Sequence, residues 1–260
     1  MEPSHRNPNL EGRLQNALND GKAVWAIGDI HGCRGTFEKL LGTLQLSEGD
    51  EVICIGDLID RGPDSEGVLR IVRDSKNIHS LKGNHEEIMS RALRSPTGRT
   101  MDFWLRIGGR ETLQSMHVDS SKQLEKAAVW PNLTDNFPTE VVLDRFRLVH
   151  AGYSLESPLE SQSDKERISS RTVFLAQSSL DPNRQIIAGH TPVQKLIDFG
   201  VRPPEAGVWF SDTRLTDGRP STVLIDTGVM LDPKSYRNPR LSAYNLQSAE
   251  VREIQRATSQ

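Results

Sequence analysis

Five short apolar runs in this chain end alike: "AIGDIHG" (26–32), "CIGDLIDRG" (54–62), "SLKGNHE" (80–86), "RLVHAG" (147–152) and "IIAGHTP" (186–192). Each closes on glycine and a side chain able to bind a cation or move a proton. Those side chains are Asp29 and His31, Asp57, Asn84, His150, and His190. Short continuous apolar runs bounded by turn residues predict strands. Between the first two runs, "GTFEKLLGTLQL" has helical spacing, with Phe37, Leu40, Leu41 and Leu44 on one face. After Pro63, which suits a first helical turn, Val68, Leu69 and Val72 predict a second helix. "IHSLKGN" (78–84) is then a third strand and "EEIMSRALRS" opens another helix. This alternation within about 60 residues indicates parallel βαβ units. In open α/β sheets ligands collect outside the carboxyl ends of the strands. The fold therefore delivers all these polar groups to one edge.

The rest of the chain is organised around that edge. Residues 88–130 read as mostly helical, interrupted by glycines at "RIGGRET". "TEVVLDRFRLVHAG" predicts a hairpin around Asp144-Arg145, "RQIIAGH" (184–190) and "STVLIDTG" (221–228) predict strands, and "LSAYNLQSAEVREI" predicts a closing hairpin. Between the first hairpin and "RQIIAGH" lies "SLESPLESQSDKERISSRTVFLAQSSLDPN", a polar excursion of the kind that forms lids or substrate-facing segments. Residues 1–21 are expected to be a polar leader, ordered in part at best, in which Leu10, Leu14 and Leu18 suit a short packed helix. Residues 22–260 are expected to be one catalytic domain, because the polar groups have to converge.

Composition excludes several classes. A net charge of −3 implies no general attraction to nucleic acid or anionic membranes. No apolar stretch approaches the roughly 20 residues of a membrane span, and the N-terminus lacks the apolar centre of a secretory signal. Two cysteines, Cys33 and Cys54, make no disulfide framework, so a cytoplasmic location is expected.

"GDLIDRGPDS" (56–65) packs three aspartates and an arginine beside a buried strand, and carboxylates at that density need a cation. Three histidines with carboxylate and amide oxygens suit Mn²⁺, Fe²⁺ or Zn²⁺ better than Ca²⁺. There are too many ligands for one tetrahedral ion, whereas two ions about 3.5–4 Å apart, bridged by one carboxylate, would use them all. Four of the seven histidines fall in these stretches; His5, His79 and His117 read as surface or packing residues.

"GDIHG", "GDLIDRG", "GNHE", "HAG" and "GHTP", in this order, resemble the phosphoprotein phosphatase family of the calcineurin-like metallophosphoesterases. The bacterial and phage serine/threonine protein phosphatases are similar in style. The resemblance covers about residues 24–228 and implies an α/β/β/α sandwich, with an N-terminal βαβαβ unit and a β-rich C-terminal half. It implies two divalent transition-metal ions, Mn²⁺ first among them. One ion takes Asp29, His31 and Asp57, and the other takes Asp57, Asn84, His150 and His190. His85 would be the proton donor, oriented by Asp60, and Arg61 would hold the phosphate. The substrate would be a phosphoprotein or small phosphoester.

Elementary chemistry is compatible with these roles. A water bridging two dications loses a proton near neutrality and can attack phosphorus in line. Arginine offers a planar, permanently charged fork to phosphoryl oxygens. A serine alkoxide leaves poorly, so an acid within reach is needed. The plainer alternatives are a structural role for His85 and an ion pair of Arg61 with Asp60 or Asp64. Asp226 of "IDTG" reads as an outer or turn residue. One departure concerns the segment before the fourth histidine, where relatives carry Trp-x-Arg-Glu-Arg and this chain reads "SDKERIS". Lys165 stands at the phosphate-gripping arginine, so the second clamp is expected at Lys165 or Arg167, with Arg171 as the further alternative.

Hydrolysis of diadenosine tetraphosphate is the competing activity. Enzymes of that group tend to have Ala at Asp60, Asp at Glu86 and Trp after the last Gly-His, unlike this chain. Nucleases and cyclic-nucleotide phosphodiesterases present Gly-His-x-His, where Pro192 stands here. A metal-stabilised binding module would retain acid, orienting carboxylate and arginine for nothing.

Overall fold

The computed structural model describes residues 5–256. Helix α1 (Pro8–Asn19) is followed by β1 (Val24–Ile27), α2 (Arg34–Leu44), β2 (Glu51–Cys54), α3 (Ser65–Asp74), β3 (Ile78–Ser80) and α4 (Asn84–Arg94). A helical region comes next: α5 (Arg99–Trp104), a π-helical turn at Leu105–Gly109, α6 (Arg110–Gln114), α7 (Gln123–Ala127) and α8 (Pro131–Thr134). The second half holds β4 (Glu140–Val142), β5 (Phe146–Val149), α9 (Asp164–Ser169), β6 (Gln185–Ala188), β7 (Trp209–Phe210), β8 (Thr222–Leu224), β9 (Arg240–Asn245) and β10 (Val251–Gln255).

The strands form two five-stranded mixed sheets, in the orders β10-β9-β1-β2-β3 and β4-β5-β6-β8-β7. Strands β1, β2 and β3 are parallel, as are β5, β6 and β8, so each sheet aims one set of carboxyl ends the same way. The closing hairpin pairs with β1 through β9, so C-terminal residues complete the N-terminal sheet.

Strand residues alternate faces, and here both faces are apolar. Val24 and Ala26 of β1 and Ile53 of β2 point between the sheets, where they meet Val141, Leu148, Ile187 and Val223. Trp25 and Ile27, with Val52 and Cys54, point outward under Phe37, Leu40, Val68, Leu69, Met89 and Trp104 of the helices. The outer face of the second sheet buries Val149, Ile186, Ala188 and Leu224 under short 3-10 turns, Val173–Leu175 and Val193–Phe199, instead of long helices. The result is the expected α/β/β/α sandwich with a thin fourth layer.

Two details differ from expectation. Helix α1 is the short packed helix that Leu10, Leu14 and Leu18 suit, but it is longer and more deeply seated than a partly ordered leader, running over residues 8–19 and burying Leu14 completely in the core between the sheets. Its apolar face provides the reason, since an amphipathic stripe gains more from packing than from exposure. Helix α3 starts at Ser65, two residues beyond Pro63, because Asp64 caps it by accepting the Gly67 N–H at 2.7 Å.

Both cysteines are free and buried, and the Cys33 thiol lies 3.2 Å from Met230 Sδ. Among the described residues no helix is long and apolar enough to cross a membrane.

Candidate metal centre

The loops after β1, β2, β3, β5 and β6 meet where the carboxyl edges of the two sheets face one another. Five of the nine non-glycine residues with positive φ among those described sit there: His31, Asp57, Asp60, Arg61 and His190. Left-handed backbone costs about 1–3 kcal/mol per residue and persists only where surroundings enforce it. Here each strand must turn within one residue to bring its side chain inward. Close approach also demands glycine, since a β-carbon on Gly83 would lie 2.2 Å from Asp57 Oδ1.

Asp57 is the centre of the arrangement. Its Oδ1 lies 3.4 Å from His150 Nε2, and its Oδ2 lies 3.8 Å from His31 Nε2 and 3.9 Å from His85 Nε2. One carboxylate thus addresses two groups of ligand atoms. His31, Asp57 and His85 bring such atoms within 4.8 Å of one another, and so do Asp57, His150 and His190. Asp29 is buried beside them, with its carboxylate accepting the His190 N–H at 3.0 and 3.2 Å.

The imidazoles are set by their other nitrogens. His31 Nδ1 bonds to Ile59 O at 2.9 Å and His150 Nδ1 to Ile55 O at 2.7 Å. A carbonyl accepts only, so both Nδ1 atoms carry protons and both Nε2 lone pairs face the centre. This is how metal-binding histidines are usually held. His150 Nε2 then stands 3.1 Å from Asn84 Oδ1, two acceptors turned toward each other.

Electrostatics point the same way. Burial, aided by the charges of Asp226 and Asp57, pushes Asp29 well above the usual carboxylate range. Burial likewise raises Asp226 to about 6. Burial also opposes the charge on Asp57, yet His150, His85, His31 and His190 around it hold it far below the usual range. His31 and His190 are lowered well below normal, chiefly by burial. Asp29, Asp57 and Asp226, buried close together, with the Nε2 lone pairs of His31 and His150 turned inward, are what a cation relieves. The donor set therefore fits divalent ions.

His85 and its neighbours form a second constellation. His85 Nδ1 is 2.6 Å from Asp60 Oδ2, and both residues are buried. Burial disfavours the charged imidazole, but Asp57 and Asp60 outweigh it and raise His85 above its usual pKa. Arg61 directs Nη1 to His31 Nε2 at 2.8 Å and Nη2 to His85 Nε2 at 2.9 Å. The ion pair of Arg61 with Asp60 or Asp64 is not formed; Asp64 pairs with Arg34 at 3.2 Å.

The two residues expected as a second clamp are placed elsewhere. Arg167 is buried, with Nε 3.4 Å from Glu140 and Nη1 3.2 Å from Asp164. Its carbonyl accepts the N–H groups of Ala151 and Gly152, which makes it a prop for the turn after His150. Lys165 is exposed on α9. Arg171 instead comes to the centre. Its Nη1 donates to Thr191 Oγ1 at 3.0 Å, and its charge bears on His150, His190 and Asp226.

Glu86 has a role that sequence reasoning missed. Its Oε2 accepts from Asp57 N at 2.9 Å and Gly83 N at 2.8 Å, and its Oε1 from Leu58 N at 2.8 Å. It ties the Asp57 turn to the Asn84 turn. Burial, then the nearby charge of Asp57, raises it to about 7. A glutamate three residues beyond the glycine that caps α4 was the signal.

Known proteins are similar to this chain in sequence and in fold. A family model described as calcineurin-like phosphoesterase matches residues 22–226. Serine/threonine-protein phosphatase 1 of Salmonella typhimurium is 28% identical over 198 residues, covering 73% of this chain and 85% of that protein. A symmetrical bis(5'-nucleosyl)-tetraphosphatase of Nitrosospira multiformis is 30% identical over 128 residues, 42% of this chain and 45% of its own. A solved protein serine/threonine phosphatase from Saccharomyces cerevisiae matches with a TM-score of 0.54 at 15% identity, covering 92% of this chain and 81% of that one. A solved protein provisionally named a diadenosine tetraphosphatase gives a TM-score of 0.61 at 19% identity, covering 92% and 95%. At such identities the structural likeness concerns the fold alone.

Proposed function

From the premise that the chain belongs to the calcineurin-like phosphoesterase family, we propose that it is a metal-dependent phosphomonoesterase acting on phosphoserine and phosphothreonine in proteins. The observation that carries this reading is the buried His85–Asp60 pair, 2.6 Å apart at the rim of the metal centre. An imidazole backed by a carboxylate is built to give up a proton at its other nitrogen. A serine alkoxide needs that proton to leave. Symmetrical cleavage of a dinucleotide tetraphosphate instead expels a nucleoside diphosphate through its terminal phosphate oxygen, and a phosphate monoester titrates near about 6, so it departs readily without one.

In this reading Asp29, His31, Asp57, Asn84, His150 and His190 would hold two divalent ions, with Asp57 facing both groups of ligands. When bound, the ions would supply a water of lowered pKa and offset the charge on the phosphoryl oxygens. Arg61 leaves His31 and His85 to grip the phosphoryl group through its planar fork. That move frees His85 Nε2, which then carries the proton for the leaving oxygen. Asp60 keeps Nδ1 engaged and the ring aimed.

Arg171 is the second clamp. Arg171→Ala is expected to raise KM and lower kcat, because a phosphoryl grip acts in both ground and transition states. Lys165→Ala is expected to leave both near wild type. Unchanged kinetics for Arg171→Ala with a clear loss for Lys165→Ala would reverse the assignment.

The substrate reading is tested by measuring a phosphoserine peptide, 4-nitrophenyl phosphate and diadenosine tetraphosphate side by side. The peptide is expected to exceed the dinucleotide in kcat/KM. The opposite order would make the dinucleotide the substrate.

A further inference from the structure

Asp60 is wholly buried and is gripped by groups 44 and 52 residues further along the chain. Trp104, also wholly buried, donates its indole N–H to Asp60 Oδ1 at 3.0 Å and Oδ2 at 3.2 Å. Thr112 donates its hydroxyl to Oδ1 at 2.7 Å and accepts the Asp60 N–H at 3.0 Å. The glycine interruption between them makes this approach possible. A β-carbon on Gly109 would lie 2.5 Å from the indole ring, and one on Gly108 would lie 2.4 Å from Arg61 N. Gly108, at φ 128°, offers its carbonyl to that N–H at 3.2 Å. The π-helical turn thus seats a tryptophan against one site residue and a carbonyl against the next.

We infer that Trp104 is a positioning residue for proton donation: its N–H, with the Thr112 hydroxyl, fixes the Asp60 carboxylate so that Oδ2 stays aligned on His85 Nδ1. This rests on the reading of His85 as the acid. Packing alone would be served by a phenyl ring, whereas among the described residues the indole N–H finds its partner in the carboxylate. A buried carboxylate is tolerated where donors surround it, and two donors fixed by packing also restrain its rotation. Trp104 and Thr112 both engage Oδ1 more closely, while the indole's longer reach to Oδ2, 3.2 Å, leaves the imidazole as the nearest partner of that oxygen at 2.6 Å. Removing the indole N–H releases one hold on the group that keeps the proton-bearing nitrogen aimed.

The test uses Trp104→Phe in the metal-loaded protein, with kcat and KM read on a phosphoserine peptide and on 4-nitrophenyl phosphate. The expected result is a fall in kcat on the peptide on the order of tenfold, the size of one charge-assisted hydrogen bond. The nitrophenyl ester, KM and metal content should change little. In a His85→Asn background the same substitution should add nothing, since coupled residues fail to add. Equal losses on both substrates, or a full additional loss without His85, would overturn the inference and leave Trp104 as packing. If Trp104→Phe does not fold, Thr112→Val removes the other donor and carries the same comparison. Should His85→Asn itself slow both substrates alike, the acid reading fails and Trp104 falls with it. Should His85→Asn discriminate while Trp104→Phe does not, only the Trp104 inference fails.

Discussion

Replacing His85 with asparagine is expected to cost about 10²–10⁴-fold in turnover of a phosphoserine peptide, and clearly less on 4-nitrophenyl phosphate. Nitrophenolate is a stable anion that scarcely needs protonation as it departs. A serine alkoxide is far more basic than the phenolate of tyrosine, which itself titrates near about 10. The comparison matters because His85 also lies close to His31 and Asp57, within reach of an ion. An imidazole with a carboxylate at its back suits either office, and the two leave different traces. A ligand lost lowers metal content and slows every substrate alike; an acid lost keeps the metal and slows the poor leaving group most. Asp60→Asn should show the same substrate dependence more mildly, since it disturbs only the ring's aim and charge. Equal losses with metals intact would leave His85 an electrostatic or structural residue.

Asp57→Asn is expected to lower turnover on all substrates by well over about 10²-fold, the upper cost of disturbing a mere outer partner of a metal ligand. It should exceed the effect of Asp29→Asn or of His190→Asn. The reason is geometric: Asp57 turns Oδ1 toward His150 and Oδ2 toward His31, so one substitution reaches both halves of the centre. An amide keeps one oxygen but supplies no charge, and the four imidazoles around it lose the group they face. Near-normal turnover in Asp57→Asn would show that it bridges nothing.

Much of this centre was legible because each element announces itself locally. Apolar runs ending in Gly-Asp, Gly-Asn, His-Ala-Gly and Gly-His mark strands that stop where a sheet edge opens, and parallel pairing brings those ends together. What stayed hidden travels across the sequence without periodicity. Arg171 sits in an irregular excursion, where counting positions from "SDKERIS" pointed first to Lys165 and Arg167 and left Arg171 as the further alternative. Only the fold shows Arg167 bound between Glu140 and Asp164. Trp104 reads as one more apolar residue in a helical stretch, though its N–H is a polar handle that burial obliges to find a partner. The closing hairpin was readable as a hairpin, but nothing local said that β9 would lie against β1. Helix α1 carried a clear apolar stripe, and its packing against the core follows once the sheets offer a surface.

The measurement that bears most directly on the centre is metal content per chain after saturation with Mn²⁺ and removal of free ion. Two ions are expected for the wild-type protein, with activity lost to a chelator and restored on reloading, and fewer than two for Asp57→Asn. One ion or none in the wild type, or two in a fully active Asp57→Asn, would contradict a dinuclear centre bridged by that carboxylate.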